Sequence, residues 1–387
     1  MSRLMAGLVP VCLTAVLVGG APDGRLDTGA TARARQWQLS ALQLPEAWRE
    51  SEGKGVLVAV LDTGVNGRHP DLDGAVIEGP DLTGAAREPE MWGHHGTAMA
   101  SLIAGRGHSD DHARAAKDDG VLGVAPEARV LSVRVTLENG DPLRGKRGSG
   151  SRDALARGIR YAADQGADVI SMSLGGGSGS WEGSAAEEEA VQYAIGRGAV
   201  LVASAGNDGN STNRKNFPAA YPGVIAVGAV DKRLRVTPFS NRQDYLSVVA
   251  PGTEIVTADG AGAYMVGDGT SSAAALVAGI AALVRSAHPD LSPYHVRMAV
   301  EQGTRRRPPG GYDSSYGHGV ADAALALRAA DRLAGSVGSP AAPGGYFGGG
   351  PPASPPPSRL PVVVGMLLLA AGMSVRVVVR HLREGVT

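Results

Sequence analysis

A regular alternation of apolar runs with helix-like segments, extending over about residues 37–333, limits this chain to one class of fold. Several of the runs are apolar at every position, as strands buried on both faces of a parallel sheet must be. Alternating strands and helices predict a three-layer α/β domain whose mostly parallel central sheet is flanked by helices. The predicted strands are 56–61, 130–135, 169–172, 200–203, 224–227 and 246–249, and the predicted helices are 97–103, 152–163, 185–195, 272–285 and 293–301.

The composition excludes several kinds of protein. Lys and Arg number 37 against 38 Asp and Glu, so the chain has no general attraction for nucleic acid. Cys12 is the only cysteine, which excludes an intramolecular disulfide and a cysteine-based zinc site. Because only 4% of the residues are aromatic, the core must be built largely from Ala, Val, Leu and Ile.

The N-terminus has the pattern of an export signal. Residues 1–21 begin with a positive charge, continue as an apolar run and end in small residues, which is typical of a signal peptide. A lipid-modified Cys12 is the alternative interpretation. Residues 22–49 then form an N-terminal extension ahead of the globular domain predicted at 50–333.

The C-terminus has the pattern of a membrane anchor. Residues 360–380 are mostly apolar and are long enough for one transmembrane helix. Arg376, Arg380 and Arg383 come after the apolar block at 360–375, which predicts that the tail 381–387 is cytoplasmic and that the globular domain lies outside the cytoplasm. A linker rich in proline and glycine at 334–359 separates the membrane helix from the globular domain.

Three predicted strands are followed by polar residues that need an explanation. Asp62, Ser173 and Asn207 each come after an apolar run. In open parallel sheets ligands bind at the carboxyl ends of the strands, so we expect these side chains to lie at one edge of the sheet. Taken singly, each also fits a turn or a helix cap.

A histidine and a serine complete the set of candidate reactive groups. His95 begins a helix-like run, and Ser271 precedes a long apolar helix whose first turn offers unpaired backbone N–H groups. A serine hydroxyl is a poor nucleophile until a base such as histidine removes its proton, and a carboxylate such as Asp62 can orient that base. Taken alone, Ser271 fits a helix cap and His95 fits a structural role.

Short motifs in the chain resemble those of the subtilisin-like serine proteases. The motifs are DTGV at 62–65, HGTAMAS at 95–101, SLGG at 173–176, AGN at 205–207 and GTSSAA at 269–274, with HPDL at 69–72, PFSN at 238–241 and VAPG at 249–252. They follow the family order of Asp, His and Ser. The resemblance covers roughly residues 50–330 and implies a subtilisin-like fold that hydrolyses protein or peptide substrates.

The resemblance implies a role for individual residues. Asp62 is expected to be the orienting acid, His95 the general base and Ser271 the nucleophile, because His95 and not His94 is in the register of the HGT motif. Asn207 is expected to hold the oxyanion together with the backbone N–H of Ser271. The expected substrate-binding residues are Ser173, Leu174 and Gly175, which would pair with the substrate backbone, and Ser204, Ala205 and Gly206, which would line the side-chain pocket.

The predicted membrane topology resembles that of the mycosins, which are proteases of type VII secretion systems. The segments QWQLSALQLPEAW at 36–48 and AGRGHSD at 104–110 are similar to mycosin segments. The resemblance implies a membrane-anchored extracytoplasmic endopeptidase that cleaves exported proteins through an acyl-enzyme and works with a type VII secretion complex. The alternative is a structural subunit of that complex with little or no required proteolysis.

Two positions depart from the family pattern. Ala275 stands where most subtilisin-like proteases have proline, which is expected to change the stiffness of the loop and not its chemistry. Asp71 corresponds to a calcium ligand in many of these proteases, but the remaining ligands have no match here. The sequence therefore predicts no cofactor and no metal, and structural calcium stays an unsupported alternative.

Overall fold

The computed structural model of the chain describes residues 25–26, 29–85, 92–108, 119–144, 153–175 and 183–336. The predicted signal peptide, the membrane helix, the cytoplasmic tail and nearly all of the linker lie outside these residues. All of the strands predicted from the sequence fall within the described part, together with most of the N-terminal extension.

Within the described residues, nine strands form a central sheet and five more form two small sheets. The strands are β1 (Arg25–Leu26), β2 (Leu57–Asp62), β3 (Val76–Asp81), β4 (Arg106–His108), β5 (Asp119–Leu122), β6 (Arg129–Arg134), β7 (Val169–Met172), β8 (Val200–Ser204), β9 (Ile225–Val230), β10 (Leu246–Pro251), β11 (Ile255–Ala258), β12 (Tyr264–Gly267), β13 (Thr304–Arg305) and β14 (Val320–Ala321). The central sheet has the order β13-β14-β10-β9-β8-β7-β2-β6-β3. Its neighbouring strands are parallel except for β13 and β14.

Helices cover both faces of the central sheet. They are α1 (Gly29–Ala34), α2 (Trp37–Ala41), α3 (Leu44–Ala47), α4 (His94–Ala104), α5 (Ala154–Asp164), α6 (Ala185–Gly196), α7 (Thr270–Ala287), α8 (Pro293–Gln302) and α9 (Ala323–Ser336), with a 3₁₀ turn at Pro70–Leu72. The hydrophobic core beneath α5 and α6 is separate from the larger core beneath α4, α7, α8 and α9. The three-layer α/β fold with a mostly parallel sheet is therefore confirmed.

Strand β2 contacts a hydrophobic core on each of its two faces, which explains why Asp62, its last residue, is its only polar one. Val58 and Val60 belong to the core beneath α4 and α7, whereas Ala59 and Leu61 belong to the core beneath α5 and α6. Successive side chains of a strand point to opposite faces, so both faces of β2 require apolar residues. Only Asp62, at the carboxyl end of the strand, can take part in polar chemistry.

The N-terminal extension packs on the domain through its side chains. Trp37 Nε1 donates to the carbonyl of Thr253 at 3.1 Å, and Trp48 Nε1 donates to the carbonyl of Val124 at 2.8 Å. Gln36 forms two hydrogen bonds with the backbone of Leu122. None of the described residues of the extension lines the cleft that contains Asp62, His95 and Ser271.

Among the described residues, α7 is the helix with the length and apolar character needed to cross a membrane. It lies inside the domain, however, and 83% of its apolar window is buried there. Its many alanines let it pack closely against the sheet, which makes it the central helix of the larger core. The predicted membrane helix at 360–380 lies outside the described residues.

An edge strand and a domain boundary are among the features that differ from those expected. The edge strand β3 was not predicted, because Gly79 and Pro80 are turn residues that hide its pattern. Proline is tolerated there because an edge strand needs partners on one side only. Helix α9 continues to Ser336, so the predicted boundary between the domain and its linker at residue 333 falls within a helix.

Candidate active site

Three side chains that are far apart in the sequence line one cleft of about 220 Å³. Asp62 is the last residue of β2, His95 is the second residue of α4, and Ser271 is the second residue of α7. Because β2 is a central parallel strand, its carboxyl end is the edge where ligand sites form in such sheets. The fold thus brings together the three residues that the sequence motifs singled out.

Asp62 and His95 form a direct pair. His95 Nδ1 lies 2.8 Å from Asp62 Oδ1, and the carboxylate is 1% exposed. The backbone N–H of Thr63 donates to the same oxygen at 2.7 Å. Because an ionised carboxylate can only accept, Nδ1 of His95 carries a proton, and Nε2 is left as the atom that can receive one.

Ser271 lies in the same cleft, but its hydroxyl makes no hydrogen bond to His95 within the described structure. Ser271 Oγ donates to the carbonyl oxygen of Ser173 at 3.1 Å, and Ser173 Oγ donates to the carbonyl oxygen of Ser271 at 2.9 Å. Rotation about Cα–Cβ redirects a serine hydroxyl, and catalytic hydrogen bonds often tighten only when substrate binds. A hydrogen bond between Ser271 and His95 stays a prediction.

The side chain of Asn207 is fixed by the first residue of α7. Asn207 Oδ1 accepts from the backbone N–H and from the hydroxyl of Thr270, both at 2.9 Å. Its Nδ2 has no partner among the described residues and is free to donate within the cleft that Asn207 lines. The first N–H groups of α7 also lack partners within the helix. Donors of both kinds are suited to a developing oxyanion.

Most of the predicted substrate-binding residues line the cleft. Ser173, Leu174, Gly175, Ser204 and Gly206 all do so. Ala205 does not, and its prediction is corrected: its methyl group is fully buried in a separate core cluster. The reason is the alternation of side chains along extended backbone, which turns Ala205 away from the cleft when Ser204 faces it.

Several residues of the cleft were not predicted from the sequence. Thr136, Asn139 and Arg144 come from the loop that follows β6, and Asn216 comes from the segment after β8. Asn216 Nδ2 donates to the carbonyl of Ser204 at 2.7 Å and so supports the wall of the cleft. A buried glutamate, Glu138, also comes from the loop after β6. These positions carry no family motif, and only the sheet order places the loop beside β2.

Glu138 holds the start of helix α4. Its Oε1 accepts from the backbone N–H of His95 at 3.1 Å, and the residue is 8% exposed. The residue before α4 is Gly93, which has no side chain to cap the helix. A carboxylate from another segment therefore satisfies an N-terminal N–H of α4 and complements the positive end of the helix dipole.

The electrostatic surroundings of His95 favour its charged form. Burial of the imidazole lowers the pKa of His95, but the adjacent Asp62 raises it through its charge and its hydrogen bond. The charge of Glu138 also raises this pKa, whereas that of Arg144 lowers it. The net result is that the pKa of His95 lies above the ordinary histidine value of 6.5.

The neighbouring His94 belongs to a different part of the structure. Its Nδ1 lies 2.5 Å from Asp259 Oδ1, which follows β11, and His94 does not line the cleft. Successive residues of a helix point about 100° apart, and here His95 lines the cleft while His94 contacts Asp259. Of the two histidines, only His95 is in position to act on a substrate bound in this cleft.

The surroundings of Asp71 do not fit a calcium ion. His108 Nδ1 lies 2.6 Å from Asp71 Oδ1, and the backbone N–H of Val121 donates to Oδ2 at 2.7 Å. Calcium requires six to eight oxygen ligands, whereas both oxygens of this buried carboxylate face nitrogen atoms. Within the described ranges, His, Cys, Asp and Glu form no group suited to a metal ion.

Comparisons with known proteins agree with this geometry. The family model of the subtilase family, Peptidase_S8, matches residues 53–319. Thermitase from Thermoactinomyces vulgaris is 39% identical over 268 residues, which are 69% of this chain and 88% of thermitase.

Solved structures with the same fold include two related proteins. MycP1 from the ESX-1 type VII secretion system is 30% identical with a TM-score of 0.61, over 75% of this chain and 85% of MycP1. Fervidolysin from Fervidobacterium pennivorans is 33% identical with a TM-score of 0.65, over 77% of this chain and 47% of fervidolysin. The chain therefore belongs to the subtilase family of subtilisin-like serine endopeptidases, which use an Asp, a His and a Ser as their catalytic triad.

Proposed function

We propose that this chain is a membrane-anchored serine endopeptidase that cleaves exported proteins with Asp62, His95 and Ser271. The observation that carries the proposal is the convergence of these side chains on one cleft, with Asp62 already paired to His95. A domain with a purely structural role needs neither a buried carboxylate beside an imidazole nor a serine in the same cleft.

The mechanism follows from the positions of the polar atoms. Ser271 Oγ attacks the carbonyl carbon of the substrate while Nε2 of His95 takes the hydroxyl proton, and Asp62 stabilises the resulting imidazolium. Asn207 Nδ2 and the backbone N–H of Ser271 hold the oxyanion. When the C–N bond breaks, His95 protonates the leaving amine, and an acyl-enzyme is left on Ser271. Water, activated by His95, then hydrolyses this ester.

The wall of the cleft provides a place for an extended substrate. Ser173, Leu174 and Gly175 follow the buried strand β7 and line the cleft, and the carbonyl oxygen of Ser173 accepts from Ser271 Oγ. A substrate segment can pair with this backbone as an added strand, so that its carbonyl carbon lies against Ser271. Ser204, Gly206 and Asn216 then surround the side chain that precedes the cleaved bond.

The proposed location rests on the sequence and on one group of relatives. The apolar residues 360–380 are proposed to anchor the chain, with residues 381–387 in the cytoplasm and the protease domain outside it. MycP1, whose fold is similar, is described as an essential component of the type VII (ESX-1) secretion system. We therefore propose that this chain works beside such a secretion complex.

This function can be tested on the proteins that the cells export. Cells with the wild-type chain, with Ser271→Ala or with no chain are compared by mass spectrometry of exported proteins. We expect uncleaved exported proteins to accumulate when Ser271 is replaced. The contrary outcome is that export is lost in cells without the chain while the exported proteins are identical in wild-type and Ser271→Ala cells. In that case the chain acts as a structural subunit and not as a protease.

Loss of the Asn207 amide is expected to slow catalysis without loss of binding. Asn207→Ala removes a donor to the oxyanion and is expected to lower kcat about 10²–10³-fold with little change in KM. Steady-state cleavage of a fluorogenic peptide measures both constants. Asn210→Ala, an exposed change in the same loop, is the matched control and should keep the wild-type rate. An equal loss in both variants would argue against the oxyanion role.

The charge of Glu138 is expected to move the acid limit of activity to higher pH. His95 must be neutral to take a proton, so the activity of the wild type should fall as the pH drops through a midpoint above 6.5. Glu138→Gln keeps an acceptor for the N–H of His95 but removes a charge that raises the pKa of His95. The acid limb of kcat/KM should therefore move to lower pH. A midpoint that stays in place would show that Glu138 does not act on His95.

A further inference from the structure

The cleft contains a charged side chain that the proposed mechanism does not use. Arg144 lies in the loop after β6, is exposed, and lines the cleft together with Asp62, His95 and Asn139. Its charge acts on His95, because it lowers the pKa of that residue. Arg144 is therefore close enough to the reacting groups to contact a bound substrate.

The guanidinium of Arg144 is positioned but not neutralised. Its Nη1 donates to the carbonyl oxygen of Leu137 at 2.6 Å, which fixes one side of the group. Among the residues that the structure describes, no carboxylate forms an ion pair with it. The acids nearby in sequence have other partners: Glu138 accepts from the N–H of His95, and Asp141 accepts from the N–H of Leu143.

The order of the strands shows which part of a substrate Arg144 can reach. β7, β2 and β6 are neighbours in the sheet, and the segments that follow β7 and β6 both line the cleft. A substrate paired with Ser173–Gly175 lies over the end of β2, with the loop of Arg144 on its other side. A half-buried acid in the lining, Asp208, comes directly after Asn207 and so belongs to the oxyanion side of the cleft.

We propose that Arg144 is a specificity-determining residue that binds an acidic side chain in the substrate segment preceding the cleaved bond. This inference rests on the proposed proteolytic function. A planar guanidinium with one edge held by a carbonyl keeps further N–H donors for a carboxylate, and this pairing is favourable in both charge and geometry. A substrate aspartate or glutamate would supply the partner that the protein itself does not provide.

Matched peptides test the inference. Fluorogenic peptides that differ only by Asp or Asn, placed in turn at each position before the cleaved bond, are cleaved by the full-length protein in detergent. We expect a preference for Asp of roughly fivefold to tenfold in kcat/KM at one position, declining as salt is added. Arg144→Gln should abolish this preference, and Arg144→Glu should reverse it, so that the Asn peptide is cleaved faster than the Asp peptide.

Arg160→Gln is the control for the loss of one positive charge. Arg160 is an exposed residue of α5 that does not line the cleft, so this variant should keep the wild-type preference. If the wild type cleaves the peptides but does not distinguish Asp from Asn, or if Arg144→Gln keeps the distinction, the specificity role is wrong and the protease function stands. If the wild type cleaves neither peptide of any pair, the proposed function falls, and the inference falls with it.

Discussion

Replacing Ser271 with alanine is expected to lower kcat about 10⁴–10⁶-fold, which is the largest loss we expect from any single change in this protein. The hydroxyl is the only group in the proposed mechanism that forms a covalent bond with the substrate. Without it, the remaining donors can polarise a substrate carbonyl but cannot form the acyl-enzyme. The measurements are steady-state cleavage of a fluorogenic peptide and covalent labelling by a fluorophosphonate probe.

The variant should fold normally, so the loss can be assigned to chemistry. Alanine suits the first turn of α7, and the change removes one hydrogen bond to the carbonyl of Ser173, which is worth about 0.5–1.5 kcal/mol of stability. Ser272→Ala is the matched control because Ser272 is the adjacent residue of the same turn and does not line the cleft. Labelling should vanish in Ser271→Ala and persist in Ser272→Ala. The reverse pattern would remove Ser271 from the mechanism.

The sequence predicted the central fold because periodicity is local information. The parallel strands that flank the site are largely apolar, and each was found within a few residues of its expected position. Strand β3 was not predicted, since Gly79 and Pro80 have the properties of turn residues and only pairing with β6 makes them part of a strand. Tertiary contacts outweighed local propensity at this edge of the sheet.

Only those site residues that lie within a recognisable motif could be predicted from the sequence. Asp62, His95 and Ser271 were identified by their motifs, and the fold brings them to one cleft. Glu138 and Arg144 were not predicted because their effects depend on where the loop after β6 passes His95. Charged residues in a polar loop look like ordinary surface residues in the sequence. They matter because the fold brings them close to His95, and this distance cannot be read from the sequence.

Asp62→Asn is expected to lower kcat about 10⁴-fold while the geometry of the cleft stays intact. Asp62 Oδ1 accepts both from the N–H of Thr63 and from Nδ1 of His95, so the asparagine carbonyl can keep this position and these two hydrogen bonds. The loss therefore comes from the missing negative charge, which in the wild type stabilises the imidazolium of His95.

The pH dependence separates this explanation from a simple loss of structure. The charge of Asp62 raises the pKa of His95, so Asp62→Asn should move the acid limb of the residual activity to lower pH as well as lowering the rate. Asp331→Asn is the same isosteric change at an exposed site on α9, and it should alter neither the rate nor the pH of the acid limb. A misfolded variant would lose activity at every pH and would melt at a lower temperature. A lowered rate with an unmoved acid limb would mean that the carboxylate of Asp62 orients His95 without stabilising its charge.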